Sequence, residues 1–202
     1  MDFNFLITVM KKGILEPEQL WQEELSKNYT LTNFFKQIVV PIVVVTAILA
    51  TLGIVLFGYR VPLTDIIMRP TLMDTVMAFV NSIVMYLVSL VIFGWLSAYI
   101  ASILGGKFDI SRGIVMMFLI SIPSLIGRVF VAVPYIGMIV AIVASIYSLV
   151  LLYRAPTTFL NLPVENKTKA FVLFLIAGVV ISIILSLTVG ELFRPTVSMS
   201  QV

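Results

Sequence analysis

Side chains capable of chemistry are scarce in this 202-residue chain. The densest polar run is Gly105-Gly106-Lys107-Phe108-Asp109-Ile110-Ser111-Arg112-Gly113. Lys107 and Arg112 are suited to holding a lipid phosphate. Asp109, between them, is suited to capping the helix that follows, where its charge meets the positive end of the helix dipole. The two glycines do not form a phosphate loop, because their spacing is wrong and no strand precedes them. Asn81 and Arg128 fall inside apolar stretches. Polar groups at such depth are costly and mark either a helix–helix bond or a solute pathway. Asn81 is read as bonding a neighbouring helix, and the long stem of Arg128 as reaching back to the interface. Pro123 predicts a kink, with Ser121 and Ser124 placed to satisfy the backbone groups it frees.

The absences are as informative. With no cysteine and no histidine, zinc sites built from those ligands and Ser-His-Asp or Cys-His nucleophile sets are excluded. No catalytic cluster, metal site or cofactor site is expected, so the chain is read as a non-enzyme. A net charge of +3 without a basic, aromatic-rich patch gives no reason to expect nucleic acid as a partner. Asp74, Asp109 and Glu191 all sit near the ends of apolar stretches, which leaves a proton-coupled transporter without its mid-membrane carboxylate.

The elements that must position these groups are membrane helices. Hydrophobic residues make up 60% of the chain and charged ones 11%, against about 25% charged in soluble domains. A crossing needs about 20 apolar residues, with every backbone polar group bonded internally. Five stretches qualify: Ile38–Phe57, Thr75–Leu104, Gly113–Val133, Tyr135–Tyr153 and Ala170–Gly190. Pro134 suits the first turn of the fourth helix, which would make helices three and four a tight hairpin. Between spans, Lys11, Lys12, Lys27, Lys36, Lys107, Arg112, Arg154, Lys167 and Lys169 lie on one side, and they outnumber Arg60, Arg69, Arg128 and Arg194 on the other. That bias predicts a cytoplasmic N-terminus and an extracytoplasmic C-terminus. The apolar N-terminal stretch precedes Lys11 and Lys12 and so does not read as a cleavable signal.

Ahead of the first span, Phe3, Leu6, Ile7, Met10 and Ile14 share one helical face, predicting a helix that lies in the membrane surface, either as a collar on the bundle or as a partner-docking or curvature-sensing element. Gly13 ends it, and Pro17 opens a second short helix carrying Leu20, Trp21 and Leu25. Thr30 or Thr32 is a candidate cap for the first span. The fold class expected is therefore all-α: residues 1–35 as amphipathic cytoplasmic helices, 36–190 as a five-helix membrane domain, and 191–202 as a short outer tail. Small residues recur every fourth position at Gly94/Ala98/Ser102, Gly137/Ala141/Ser145 and Gly178/Ser182/Ser186/Gly190. They predict close helix packing, mainly within the chain.

Residues 105–114, Gly-Gly-Lys-Phe-Asp-Ile-Ser-Arg-Gly-Ile, resemble the segment before the third helix of the Yip domain family, the Ypt/Rab-interacting membrane proteins. Val133-Pro134-Tyr135-Ile136-Gly137 resembles that family's turn between helices three and four, and Tyr147-Ser148-Leu149 through Leu152-Tyr153 the end of its helix four. Pro17 to Trp21, with Pro41 in the first span, resembles the lead-in of prokaryotic members. The resemblance implies five spans with a cytoplasmic N-terminus, in the cell membrane of a prokaryote. Its eukaryotic members imply vesicle trafficking with small GTPases. The chain lacks their long N-terminal region and their Asp-Leu-Tyr-Gly-Pro-like motif, which argues against a small GTPase partner here. Two functions are expected: a membrane organiser or adaptor that binds lipids or membrane proteins, as a homo-oligomer or with other chains, or alternatively a small-solute or ion transporter.

Overall fold

The computed structural model describes residues 3–27, 30–60 and 67–192. Helices α1 (Phe3–Leu15) and α2 (Pro17–Ser26) precede five long ones. The first of these joins α3 (Leu31–Phe34), a π-turn (Phe35–Val39) and α4 (Val40–Phe57) without a break. It is followed by α5 (Leu72–Ile103), α6 (Ile110–Phe130), α7 (Gly137–Phe159) and α8 (Lys167–Leu192). All five are long and apolar enough to cross a membrane. Between α4 and α5, β1 (Tyr59–Arg60) pairs antiparallel with β2 (Ile67–Met68). The fold is thus all-helical apart from this two-residue ladder. Arg194 and residues 193–202 of the expected tail lie outside the described residues, and Glu191 and Leu192 belong to α8.

Local chemistry sets each boundary. Thr30 caps α3, accepting from the Asn33 N–H, and Thr32 is the residue passed over. The π-turn lies just ahead of Pro41, where the Val40 N–H reaches back five residues to the Phe35 carbonyl. A proline ring clashes with the carbonyl four residues earlier, here that of Gln37, and a wider turn moves that carbonyl aside. Thr71 and Asp74 form a reciprocal capping box, so α5 starts at Leu72 rather than Thr75.

Helix α6 is the hub: it packs against α7, α5, α4, α1 and α2, and it is the most buried span. Lipid gives no hydrophobic drive for association, so close approach matters. A Cβ on Gly113 of α6 would stand 2.3 Å from the Gly94 carbonyl oxygen of α5, and one on Gly94 would stand 2.7 Å from Ile114 Cα. A Cβ on Gly127 would stand 2.6 Å from Ala144 of α7. Gly94 and Ala98 of α5 and Gly137 of α7 therefore pack within the chain, as expected, whereas Ser145 is exposed. Gly178 and Ser182 of α8 do not: a Cβ on Gly178 would meet only Phe93, at 3.9 Å, and Ser182 is exposed.

Three expectations need correction. Gly13 does not end α1, which runs on to Leu15. Pro134 is not in the first turn of α7. It lies in a six-residue turn, residues 131–136, and α7 begins at Gly137, where a Cβ would come 2.0 Å from the Phe130 carbonyl oxygen. Helix α7 also runs past Tyr153 and through Pro156 to Phe159. Its last two turns are covered by α2: Trp21 meets Phe159 edge-on at 5.8 Å and Glu18 pairs with Arg154.

Candidate functional site

The α1–α2 segment does not present its whole apolar face to a membrane surface. Leu6, Val9 and Gly13 are buried, and a Cβ on Gly13 would stand 2.8 Å from Ile122, midway along α6. The Tyr147 hydroxyl of α7 donates to the Ile14 carbonyl at 2.8 Å. Ile7 remains 59% exposed. The helix is thus wedged into the bundle along one edge, with a residual apolar edge outside. This fits a collar on the bundle, and Val9, which lies off the expected apolar face, joins the buried side.

At the same end, Asp109 caps α6, accepting the Arg112 N–H at 2.9 Å, and its other oxygen lies 3.4 Å from Arg112 Nε. Arg112 stays exposed beside this partner. The Lys107 N–H donates to the Leu160 carbonyl at 2.7 Å, and Asn166 Nδ2 donates to the Leu104 carbonyl at 2.9 Å, which ties the 104–109 loop to the α7–α8 connection. Gly105 takes a φ of +87°, and a Cβ on Gly106 would stand 2.9 Å from the Leu160 oxygen. These contacts explain the glycine pair without a ligand. The Lys107 side chain is exposed.

The carboxylates at this end are largely consumed. Lys12 pairs with Glu23, Lys27 with Glu24, Arg112 with Asp109 and Arg154 with Glu18. Lys11, Lys36, Lys107 and Lys169 are left exposed, and Lys167 lies over the Tyr153 ring at 4.5 Å. Glu16 and Glu165 are the remaining acidic residues there. Among the described residues this end is a lysine-rich face, suited to anionic headgroups.

The groups expected at membrane depth are not brought together into a pathway. Arg128 is exposed in the last turn of α6, where its charge suits the helix dipole, within electrostatic reach of Tyr86. The Oδ1 of Asn81 is buried, with no hydrogen-bond partner among the described residues. Pro123 lies buried inside α6. The two serines near it bond elsewhere than expected, Ser121 to the Phe118 carbonyl and to Tyr86, and Ser124 to Ser148.

The one large feature that sequence reasoning missed is a cleft of about 600 Å³ under α8, open on its outer side. Its inner wall is Phe93 and Leu96 of α5, Met117 of α6, and Leu149 and Leu152 of α7. Helix α8 supplies the other wall, from Phe174 through Gly178 and Ser182 to Leu187. A smaller hollow of about 220 Å³ shares Phe93, Met117, Leu149 and Leu152 and reaches inward to the Tyr86–Ser121 and Ser124–Ser148 pairs. Neither space is lined by Asn81 or Arg128. The only advance signal was the Gly178/Ser182 spacing, which reads equally well as a packing ridge.

No curated protein and no solved structure matches the chain. A family model does: that of the Yip1 domain matches residues 13–187, a segment that runs from the last turns of α1 to the late turns of α8 and includes the glycine loop and the 131–136 turn. On that match, and with helices long and apolar enough for five crossings, the chain belongs to the Yip1 domain family of membrane proteins.

Proposed function

We propose that this protein is a non-enzymatic membrane organiser, acting through bound lipids and neighbouring membrane proteins. The observation that carries the reading is the pairing pattern at the lysine-rich face: four carboxylates are paired locally while Lys11, Lys36, Lys107 and Lys169 stay exposed, against Glu16 and Glu165. A polybasic face at the membrane surface attracts anionic lipid by about 1 kcal/mol per cation. The absence of Asn81 and Arg128 from the cleft walls weighs on the same side, because it removes the polar pathway a transporter needs. The lysine bias puts this face, and the N-terminus, in the cytoplasm. The proposed setting is the cell membrane of a prokaryote, with the chain as a homo-oligomer or beside other membrane proteins.

Native mass spectrometry of the full chain released from nanodiscs tests this. The expected result is anionic phospholipid retained on the protein, with oligomers or a partner present, and no solute flux above empty vesicles after reconstitution. A bare monomer without lipid or partner overturns the reading. So does a flux that Arg128→Ala abolishes.

A further inference from the structure

The bend between α1 and α2 lies deep in the bundle. The Lys107 N–H donates to the Leu160 carbonyl, so the 104–109 loop and the end of α7 share one rim. Gly13 lies against Ile122, and the distance along α6 from Asp109 to Ile122 is about 20 Å at 1.5 Å per residue. The Ile14 carbonyl accepts from the Tyr147 hydroxyl, and the distance along α7 from Tyr147 to Leu160 is again about 20 Å. Half a bilayer, headgroups included, is also about 20 Å. From that depth α2 returns to the rim, with Glu18 at Arg154 and then Trp21 at Phe159, the last residue of α7. Lys12 pairs with Glu23 and Lys27 lies over the Phe5 ring, so α1 runs antiparallel beside α2. The two helices form a hairpin that enters and leaves on one side of the membrane.

The outer edge of this hairpin does not suit hydrocarbon. Lys11, Glu16, Gln19 and Gln22 are exposed, and Glu16, at the bend, pairs with no cation among the described residues. A charge at the bilayer centre is costly and is relieved by local thinning and by water drawn in to it. On α5 the medium is different. Tyr86 meets Ser121, next to Ile122, so Val84 and Val88 stand at the same depth, and both are exposed. We infer that phospholipid headgroups and their water descend along the outer edge of the hairpin as far as Glu16, so that the protein thins the bilayer on that side alone. Roughly half the usual thickness is left there. Zwitterionic headgroups match an edge that carries Lys11 and Arg154 beside Glu16 and Glu18. A second copy offers no such match from its spans, since Val84 and Val88 of α5 and Ile146 of α7, exposed at this depth, are aliphatic.

The thinning rests on the organiser reading for its lipid partner and fails separately from it. The chain has no native cysteine, so one bimane label reports the surroundings of Leu15→Cys, exposed at the bend, or of Val84→Cys, exposed on α5. The full chain is placed in phosphatidylcholine nanodiscs doped with a lipid that carries a nitroxide either on its headgroup or near its chain end. The label at position 15 is expected to be quenched chiefly by the headgroup nitroxide, and the label at position 84 chiefly by the chain-end one. Glu16→Leu, Gln19→Leu and Gln22→Leu together change only exposed side chains, and Glu16 makes no side-chain cap bond. They should shift the label at position 15 to chain-end quenching at an unchanged melting temperature. A disulfide between Gly13→Cys and Ile122→Cys, whose Cβ atoms would stand 3.2 Å apart, should form in the same nanodiscs. Failure of that bridge puts the hairpin on the membrane surface and overturns the inference. Chain-end quenching at position 15 in the chain without the leucine changes overturns it too, as does headgroup quenching that those changes leave unmoved. A label at position 15 that neither nitroxide reaches also overturns it, by putting protein over the edge. If lipid or partners are still retained in any of these cases, the organiser reading stands and only the thinning falls.

Discussion

Glu24 is the least comfortable side chain in the described structure. Its side chain is 1% exposed, one oxygen meets Lys27 Nζ at 2.6 Å, and the other oxygen has no partner, nor does Trp21 Nε1 one turn away. Removing the cation from a buried pair costs about 3–5 kcal/mol, because the remaining charge stays in the low-dielectric interior. Lys27 is 35% exposed, so Lys27→Met should fall at the low end, about 3 kcal/mol, read as a lowered melting temperature in detergent. Lys27→Met combined with Glu24→Gln should recover most of that loss. Gly94 makes the opposite kind of demand. With Ile114 backbone 2.7 Å from its would-be Cβ, Gly94→Leu must push α5 off α6, and it should cost more than the usual 1–3 kcal/mol of overpacking. Neither effect could be read from sequence. Glu24 looks like one solvated carboxylate among several on α2, and Gly94 like any small residue in a span, until the fold buries the first and sets Ile114 of α6 against the second.

Among the elements, α1 shows most clearly how a partner changes a reading. Its amphipathic pattern was legible, yet amphipathicity says only that one face is buried and not against what. The bundle supplies α6 at Ile122 and the Tyr147 hydroxyl at the helix end. Tyr147→Phe removes that single hydrogen bond, worth about 0.5–1.5 kcal/mol. It should raise amide exchange across α1 and leave α5 and α6 protected. If exchange rises throughout the chain instead, α1 is part of the cooperative unit rather than a docked edge. Helix α7 carries the same lesson at its C-terminal end. The apolar stretch stops at Tyr153, but the helix continues to Phe159, and α2 covers those turns with Trp21 and Glu18. Asn161, in the left-handed region at φ 49°, then ends it.

For the molecule as a whole, a chain without native cysteine makes topology directly measurable. Lys107→Cys should react with an impermeant thiol reagent only from the cytoplasmic side, and Ile136→Cys, in the 131–136 turn, only from the opposite side. The reverse pattern would invert the lysine-based orientation. Five crossings, the helix starts at Thr30 and Asp109, and the family itself were all legible in the sequence. They depend on local quantities: apolar run length, a capping side chain, and a short motif in order. What only the tertiary structure decided is which polar groups consume one another and where packing stops. Lys12 of α1 meets Glu23 of α2, Arg154 of α7 meets Glu18 of α2, Lys107 stays exposed, and α8 stands off α6 to leave a cleft that no residue pattern announced. The physical reason is that in lipid every helix face is apolar. Sequence then records that a face is fit for hydrocarbon, while the distances between backbones alone determine whether the hydrocarbon is a neighbouring helix or a lipid chain.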